Sequence, residues 1–215
     1  FIIKNILKIS AFTMVQYLIS MSTWFIFFIA IEKQSTQALE ITNIIRNFYM
    51  IFFIPMNAFA TAANTLVGNT MGKGVLADVI PLIKRISTLS LGMIIIIGLT
   101  IAVGAEFWIS LIAPIDDPSL IHLTVAPLMV IIGILPICSI STVVFNAISG
   151  TGNTRSALIL ELITLILYMI YTYIIVIEMQ ASVAVCWLVE CVYWGFLLLF
   201  SVLYFKYAKW QTKIV

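Results

Sequence analysis

Six stretches of this chain run for about 20 residues or more with almost no charge, and each is long enough to cross a bilayer as a helix. No other feature limits the fold so strongly. The stretches cover residues 8–31, 38–65 with a continuation to 71, 86–105, 119–149, 154–177 and 182–205. Composition agrees: 63% of the 215 residues are hydrophobic and 9% are charged. Soluble domains carry about 25% charge, and so few charges cannot cover a soluble surface. A soluble enzyme, a nucleic-acid binder and a disordered chain are excluded. The expected fold is an all-α polytopic membrane protein, with one six-helix transmembrane unit over residues 1–215.

Punctuation separates the spans. Ser35-Thr36 divides the first two, and Gly72-Lys73-Gly74 closes the second. Residues 77–85 read as a short interfacial lead-in to the third span, and 107–112 as a small interfacial turn after it. Ahead of the fourth span, Asp117 can cap the helix and Pro118 can take its first position. Gly150-Thr151-Gly152-Asn153 lacks the lysine and preceding strand of a phosphate loop and reads as a tight turn. The first span is too long for a signal-peptide core. Phe at position 1 points to a fragment.

Basic residues set orientation. Lys4, Lys8, Lys73, Lys84, Arg85, Arg155, Lys206, Lys209 and Lys213 share one side, nine of the eleven basic residues. Glu32, Glu40, Glu106, Asp116, Asp117 and Glu178 fall on the other. Both termini are therefore expected in the cytoplasm.

Polar residues inside the spans form stripes. The second span carries Asn43, Asn47, Asn57, Thr61, Asn64 and Gly68 near one helical face, with Pro55 in mid-span as an expected kink. The first has Gln16, Ser20 and Thr23, and the fourth has Ser139, Thr142, Asn146 and Ser149, with Gly133 and Pro136 as expected hinges. Each such group can bind helix to helix. Three aligned stripes together favour a polar, water-accessible cavity lined by spans one, two and four, and kinked backbone is tolerated where it faces water or protein.

Arg46, Glu161 and Glu190 lie deep, where each charge calls for a partner or a function. Arg46 and Glu190 each sit about eight residues from the outer ends of their spans, roughly 12 Å down, which suggests an ion pair between spans two and six. It could be a structural staple or part of proton or ion coupling. Glu161 could be a protonated carboxyl, an acid snorkelling near Arg155, or an element of a coupling route. His122, the lone histidine, reads as a headgroup contact. The tryptophans read as belt or packing residues. Cys138, Cys186 and Cys191 read as packing thiols. No catalytic triad, carboxylate dyad or metal-binding constellation is visible, so neither an enzyme nor a metal site is expected.

Three segments together resemble a known family. Residues 64–74 (NTLVGNTMGKG) resemble the A-x-x-L-V-G-Q-x-L-G-A-G signature that closes the second helix of each lobe in multidrug and toxic compound extrusion (MATE) transporters. Residues 34–43 (QSTQALEITN) resemble the G-x-x-x-L-A-A-x-x-I opening of that helix, and 146–155 (NAISGTGNTR) resemble the R-G-x-G-D-T-R turn after the fourth. The likeness spans all six helices, and the basic tail at 206–213 resembles a C-terminal lobe of a Bacteroidetes-like member.

The resemblance implies an inner-membrane antiporter of a bacterium. It would expel cationic or amphipathic small molecules by alternating access, driven by H⁺ or Na⁺, with no cofactor. Its partners would be the lipid bilayer and an N-terminal six-helix lobe, with no nucleic acid. The family's first, second and fourth helices line the cavity. Gln16, Ser20, Asn43, Asn47, Asn57, Asn64 and Asn146 are then the expected pathway residues, and Arg46, Glu190 and Glu161 the expected coupling residues or buried ion pair. The chain departs from the Na⁺-coupled members where Ser20 and Cys138 stand at the positions nearest to two acids, and where Asn153 replaces the Asp of the turn. A lipid-linked oligosaccharide flippase of the same superfamily is the alternative, and a cavity rich in Arg and Lys would favour it. A membrane-embedded enzyme or a passive channel fits less well.

Overall fold

The computed structural model describes residues 2–112, 118–208 and 210–212, with side chains described for 11–112, 118–208 and 210–211. The helices are α1 (Ile2–Glu32), α2 (Thr36–Gly72), α3 (Val79–Val103), α4 (Ala105–Ile112), α5 (Pro118–Gly150), α6 (Thr154–Tyr171), α7 (Val183–Cys186) and α8 (Val189–Tyr207). A 3₁₀ turn, Leu76–Asp78, leads into α3, and a π-helical turn, Thr172–Glu178, extends α6. Six helical segments among the described residues are long and apolar enough to cross a membrane: Ala11–Glu32, Thr36–Gly72, Leu76–Val103, Pro118–Gly150, Thr154–Glu178 and Val183–Tyr207. They coincide in order with the six expected spans.

The ends differ in informative ways. α3 begins at Val79, so the expected interfacial lead-in at 77–85 is largely helix. Pro81 is tolerated there because the first turn has no N–H partner to lose. Lys84 and Arg85 stay exposed on the next turn. The segment expected as a turn at 107–112 belongs to the short helix α4. The sixth span is broken between α7 and α8, and the break carries Trp187 into the core against Phe27 and Tyr49 (ring centroids 5.6 and 6.1 Å apart). α2 and α5 run unbroken through Pro55 and through Pro127 and Pro136. The expected cap at Asp117 lies outside the described residues, as do Lys209 and Lys213.

Local chemistry explains the boundaries. Ser35 caps α2, its hydroxyl accepting from the Ala38 amide at 3.0 Å. Gly74 and Gly152 close the turns after α2 and α5 with φ of 74° and 79°, a region costly for any residue with a Cβ. In the second turn Thr151 Oγ1 donates to the Ile148 carbonyl at 2.7 Å, and Asn153 Nδ2 donates to Thr151 Oγ1 at 3.1 Å. At 1.5 Å per residue the 37 residues of α2 extend about 55 Å, well beyond a hydrocarbon core of ~30 Å. Its ends must tilt or stand clear of the hydrocarbon.

α5 is the axis of the bundle. Of its most apolar window 61% is buried, against 28–33% for the other spans. α2 and α3 pack on one side of it and α8 on another. α6 packs against α8, and α1 completes the bundle chiefly through α6. The core is built from Phe27, Phe48, Phe52, Met56, Leu128, Ile131, Leu135 and Trp187, all at most 1% exposed. The two glycine-bearing segments meet where α2 crosses α5. A Cβ on Gly150 would lie 2.5 Å from the Asn64 carbonyl oxygen, and one on Gly68 would lie 3.4 Å from the Gly150 carbonyl oxygen. Gly150 therefore sets how closely the two helices approach.

Gly150→Ala is expected to destabilise the protein by roughly 1–3 kcal/mol, the usual cost of overpacking. Gly72→Ala, with open space around the new carbon, should be near neutral. Thermal unfolding in detergent, followed by tryptophan fluorescence, compares the two variants.

Candidate functional site

A cleft of about 550 Å³ opens between α1, α2, α5, α6 and α8. α1 contributes Gln16, Ser20, Thr23 and Trp24; α2 contributes Tyr49, Phe53, Asn57 and Thr61; α5 contributes Thr142 and Asn146. The expected walls from spans one, two and four are present. α6 and α8 add the fourth and fifth walls, with Glu161 and Tyr168 from one and Glu190, Tyr193 and Trp194 from the other.

Two carboxyls dominate its chemistry. Glu161 is 2% exposed. Its Oε1 accepts from Ser20 Oγ at 2.6 Å and from Tyr193 Oη at 2.6 Å, so one oxygen ties together α1, α6 and α8. Its Oε2 is buried without a hydrogen-bond partner, an arrangement that carries a large cost unless something occupies it. The Gln16 carbonyl lies 3.0 Å from the same Ser20 hydroxyl, so it competes with Glu161 for the single proton, with Glu161 the shorter contact. Glu190, 3% exposed, accepts at Oε2 from Tyr49 Oη (2.7 Å) and Trp194 Nε1 (3.0 Å), and the same indole N–H lies 2.8 Å from Tyr49 Oη. Every donor to either carboxyl is a neutral side chain.

Aromatic rings fill the space around the acids. Tyr193 stands edge-on to Tyr168 and to Trp194, with centroids 6.1 and 4.7 Å away. Tyr49 stacks on Phe53 at 5.6 Å, and Phe53 reaches Trp194 at 5.9 Å. A wall of π faces beside buried carboxyls attracts cations and repels anions.

The expected Arg46–Glu190 ion pair is not formed. Arg46 lies over the Phe28 ring, 5.6 Å from its centroid, and Glu190 takes Tyr49 and Trp194 instead. Counting residues from a helix end sets height but not direction, and the two residues face different neighbours. Among the described residues the one contact between a basic and an acidic side chain within 4 Å is His122 Nδ1 to Glu106 Oε1 at 3.0 Å. The lone histidine therefore has a protein partner, on an exposed surface where such pairs contribute little.

Of the expected pathway residues, Gln16, Ser20, Asn57 and Asn146 line the cleft together with Glu161 and Glu190, while Asn43, Asn47 and Asn64 do not. Asn43 and Asn64 lie towards opposite ends of the long α2, beyond the cleft, and Asn64 carries the backbone against which Gly150 packs. Asn47 is exposed. The α5 stripe also divides. Ser139 Oγ shares a 2.9 Å hydrogen bond with Ser90 Oγ of α3, while Asn146 Nδ2 donates to the Thr142 carbonyl at 2.9 Å and faces the cleft. The aromatic wall escaped the sequence reading, which took Trp194 for a belt or packing residue, while Trp187 does pack in the core. Tyr193 and Trp194 stand three and four residues after Glu190, a spacing that puts them on its helical face.

The MatE family model matches residues 11–174 of the chain. Two solved structures share its fold. One is described as the outward-facing conformation of a multidrug resistance MATE family transporter of the MOP superfamily, with a TM-score of 0.84 at 13% identity. The other is a MOP superfamily transporter from Pyrococcus furiosus Vc1 (DSM3638), whose binding pocket is described as having reverse polarity suggesting a different function, with a TM-score of 0.83 at 13% identity. Each alignment takes in 99% of this chain and 46% of the other, so the chain spans less than half the length of these structures. The comparison with curated protein sequences finds no match.

A double-mutant cycle with Ser20→Ala and Glu161→Gln should give a coupling energy of about 1 kcal/mol, as hydrogen bonds between membrane helices commonly do. Unfolding equilibria in mixed micelles measure it, and an additive pair would mean that the bond contributes nothing to stability.

Proposed function

The chain belongs to the MatE family, and from that premise we propose that it forms the C-terminal six-helix lobe of a transporter that exports cationic or amphipathic small molecules by alternating access. The lobe sits in a bacterial inner membrane with both termini in the cytoplasm. An N-terminal lobe of similar size completes the cavity, in keeping with the 46% share of the matched structures. The matched multidrug transporter supports the export of drug-like compounds. What carries the proposal is a cleft whose two buried carboxyls face aromatic rings without a lysine or arginine among the described lining residues. That lining attracts a positive charge. It also disfavours the flippase alternative, since a pyrophosphate-linked lipid would need basic side chains.

The proposed coupling ion is H⁺. Glu161 and Glu190 are held by neutral O–H and N–H groups whose hydrogens point at the carboxyl, so a metal cation would have to displace those hydrogens to reach it, while Glu161 Oε2 is free of hydrogen bonds and can take a proton without disturbing them. Binding a proton cancels a buried charge and requires no new ligand. Glu161 has a second point in its favour. Ser20 stands nearest to the position where Na⁺-coupled relatives carry an acid on the first helix of this lobe, and the Glu161 carboxyl reaches the Ser20 hydroxyl from α6. The acid has in effect moved across the α1–α6 contact.

Uptake of an organic cation into inverted membrane vesicles should follow an imposed pH gradient. Glu161→Gln or Glu190→Gln should abolish the response, and the exchange Ser20→Glu with Glu161→Ser should restore part of what the first removes. A response to a Na⁺ gradient at constant pH would overturn the choice of ion. Intact pH-driven uptake in both Gln variants would move coupling outside this lobe.

A further inference from the structure

Eight buried side-chain oxygens and nitrogens have no hydrogen-bond partner among the described residues, and three of them stand on α6 and its π-helical extension. Glu161 Oε2, Tyr168 Oη and Thr172 Oγ1 are spaced by seven and four residues, which sets them along one helix face. That face looks inward. The three residues are at most 3% exposed, whereas Ile163, Ile166 and Ile170 on the opposite face are 43–60% exposed. A fourth unpartnered group, Trp187 Nε1, lies beside them: Trp187 and Tyr168 pack edge-on against the same ring, Phe27, with centroids 5.6 and 6.2 Å away. The other four, Thr42, Ser87, Ser141 and Ser201, are scattered singly over α2, α3, α5 and α8.

The line on α6 joins the cleft to the far end of the span. At its inner end Glu161 and Tyr168 line the cleft together, and Tyr168 stands edge-on to Tyr193, whose hydroxyl is on Glu161 Oε1. Helical side chains lean towards the N-terminus of their helix, which tips the Tyr168 phenol back towards Glu161. The titratable groups that line the cleft with Glu161 are Tyr17 of α1, Tyr49 of α2, Tyr168 of α6, and Glu190 and Tyr193 of α8. Tyr193 and Tyr49 spend their hydroxyls on the two carboxyls, and Tyr17 is more than half exposed, which leaves Tyr168 as the buried phenol with an uncommitted hydroxyl. At the other end Thr172 opens the π-turn, a rare geometry that often marks functional sites. Val176, four residues on, gives its carbonyl to Gln34 Nε2 at 2.8 Å, and Gln34 is partly exposed at the end of the bundle away from both termini. Buried water typically binds where several polar groups are left without protein partners. We propose that water held by Tyr168 Oη, Thr172 Oγ1 and Trp187 Nε1 forms a proton route from the π-turn to Glu161 Oε2. The route rests on the proton-coupled reading of Glu161 and adds the side from which the proton arrives. A proton from the water beyond the π-turn moves by exchange of O–H bonds. Each water and hydroxyl accepts one proton and passes on another, so the line is left unchanged and Glu161 Oε2 gains one O–H bond. The Trp187 indole only donates, so it holds water without relaying.

The test uses the full-length protein and two measurements with ethidium: the initial rate of uptake into inverted vesicles driven by an imposed pH gradient, and equilibrium binding to the purified protein. Thr172→Val and Tyr168→Phe delete one hydroxyl each with little change in shape, and Thr172 does not line the cleft. Each is expected to slow uptake by about tenfold, the effect of one lost hydrogen bond on a rate, with ethidium binding unchanged. Thr172→Ser, which keeps the hydroxyl, should keep the wild-type rate. Thr164→Val removes a hydroxyl of the same helix that is already spent on the Leu160 carbonyl, and should also leave uptake unchanged. Wild-type uptake in both Thr172→Val and Tyr168→Phe overturns the route and leaves proton coupling standing, because Glu161 then loads from the cleft. Loss of uptake in Thr172→Ser equal to that in Thr172→Val, or a loss of ethidium binding that matches the loss of uptake, also overturns it, since the residues then act by packing or as cleft wall. A wild type that ignores the pH gradient removes the coupling reading itself, and the route with it.

Discussion

Hydrocarbon offers a polar group no partner, so whatever polarity the six spans carry has to be satisfied inside the bundle. The arrangement of this lobe follows from that constraint. Most hydroxyls solve the problem locally: Ser22, Thr65, Thr70, Thr88 and Thr100 each donate to a carbonyl four residues back. A carboxyl cannot turn to the helix backbone in the same way, because the N–H groups there are already used. Glu161 and Glu190 must recruit side chains from other helices, and in doing so they bring α1, α2, α6 and α8 around one space. The cleft is where the bundle's least soluble groups are gathered.

Packing around that space is uneven. On the α2–α5 side, the close approach at Gly68 and Gly150 and the wedge of Phe48, Phe52 and Met56 make a tight seam. α1 is held more loosely. Met14, Tyr17, Leu18, Met21 and Phe25 are all more than half exposed, and its mid-span polar tie to the bundle is the Ser20–Glu161 bond. At its far end Gln34 Nε2 donates to the Val176 carbonyl at 2.8 Å, where the π-turn has displaced the regular ladder. In the proposed proton-coupled cycle, the Ser20–Glu161 bond is the link between that proton and α1.

Residue spacing carried the reading of the sequence only part of the way towards the site. Gln16, Ser20, Asn57 and Asn146 follow from polar residues recurring on a helix face, and all four line the cleft. Asn43 and Asn64 obey the same periodicity and lie outside it, because a face 37 residues long extends beyond any one cavity. The supposed Arg46–Glu190 pair failed for a related reason. Counting residues along a span says nothing of azimuth, which depends on how two helices rotate against each other, and the structure puts Arg46 over Phe28 and Glu190 against Tyr49 and Trp194. The aromatic wall was hidden because a tyrosine or tryptophan in a span has the same local signature whether it faces lipid, core or cleft.

By itself the sequence determined the number of spans, their order and the all-helical class. Runs of apolar residues and the distribution of lysine and arginine are local properties, and a bilayer reads them one span at a time. It also determined that the interior holds more polarity than a passive anchor requires. Only the tertiary structure decided which polar groups meet. The bond from Ser20 to Glu161 joins residues 141 positions apart, as does that from Tyr49 to Glu190. Contacts at such separation depend on helix rotation and approach, and those are settled by the shapes of side chains across the whole bundle.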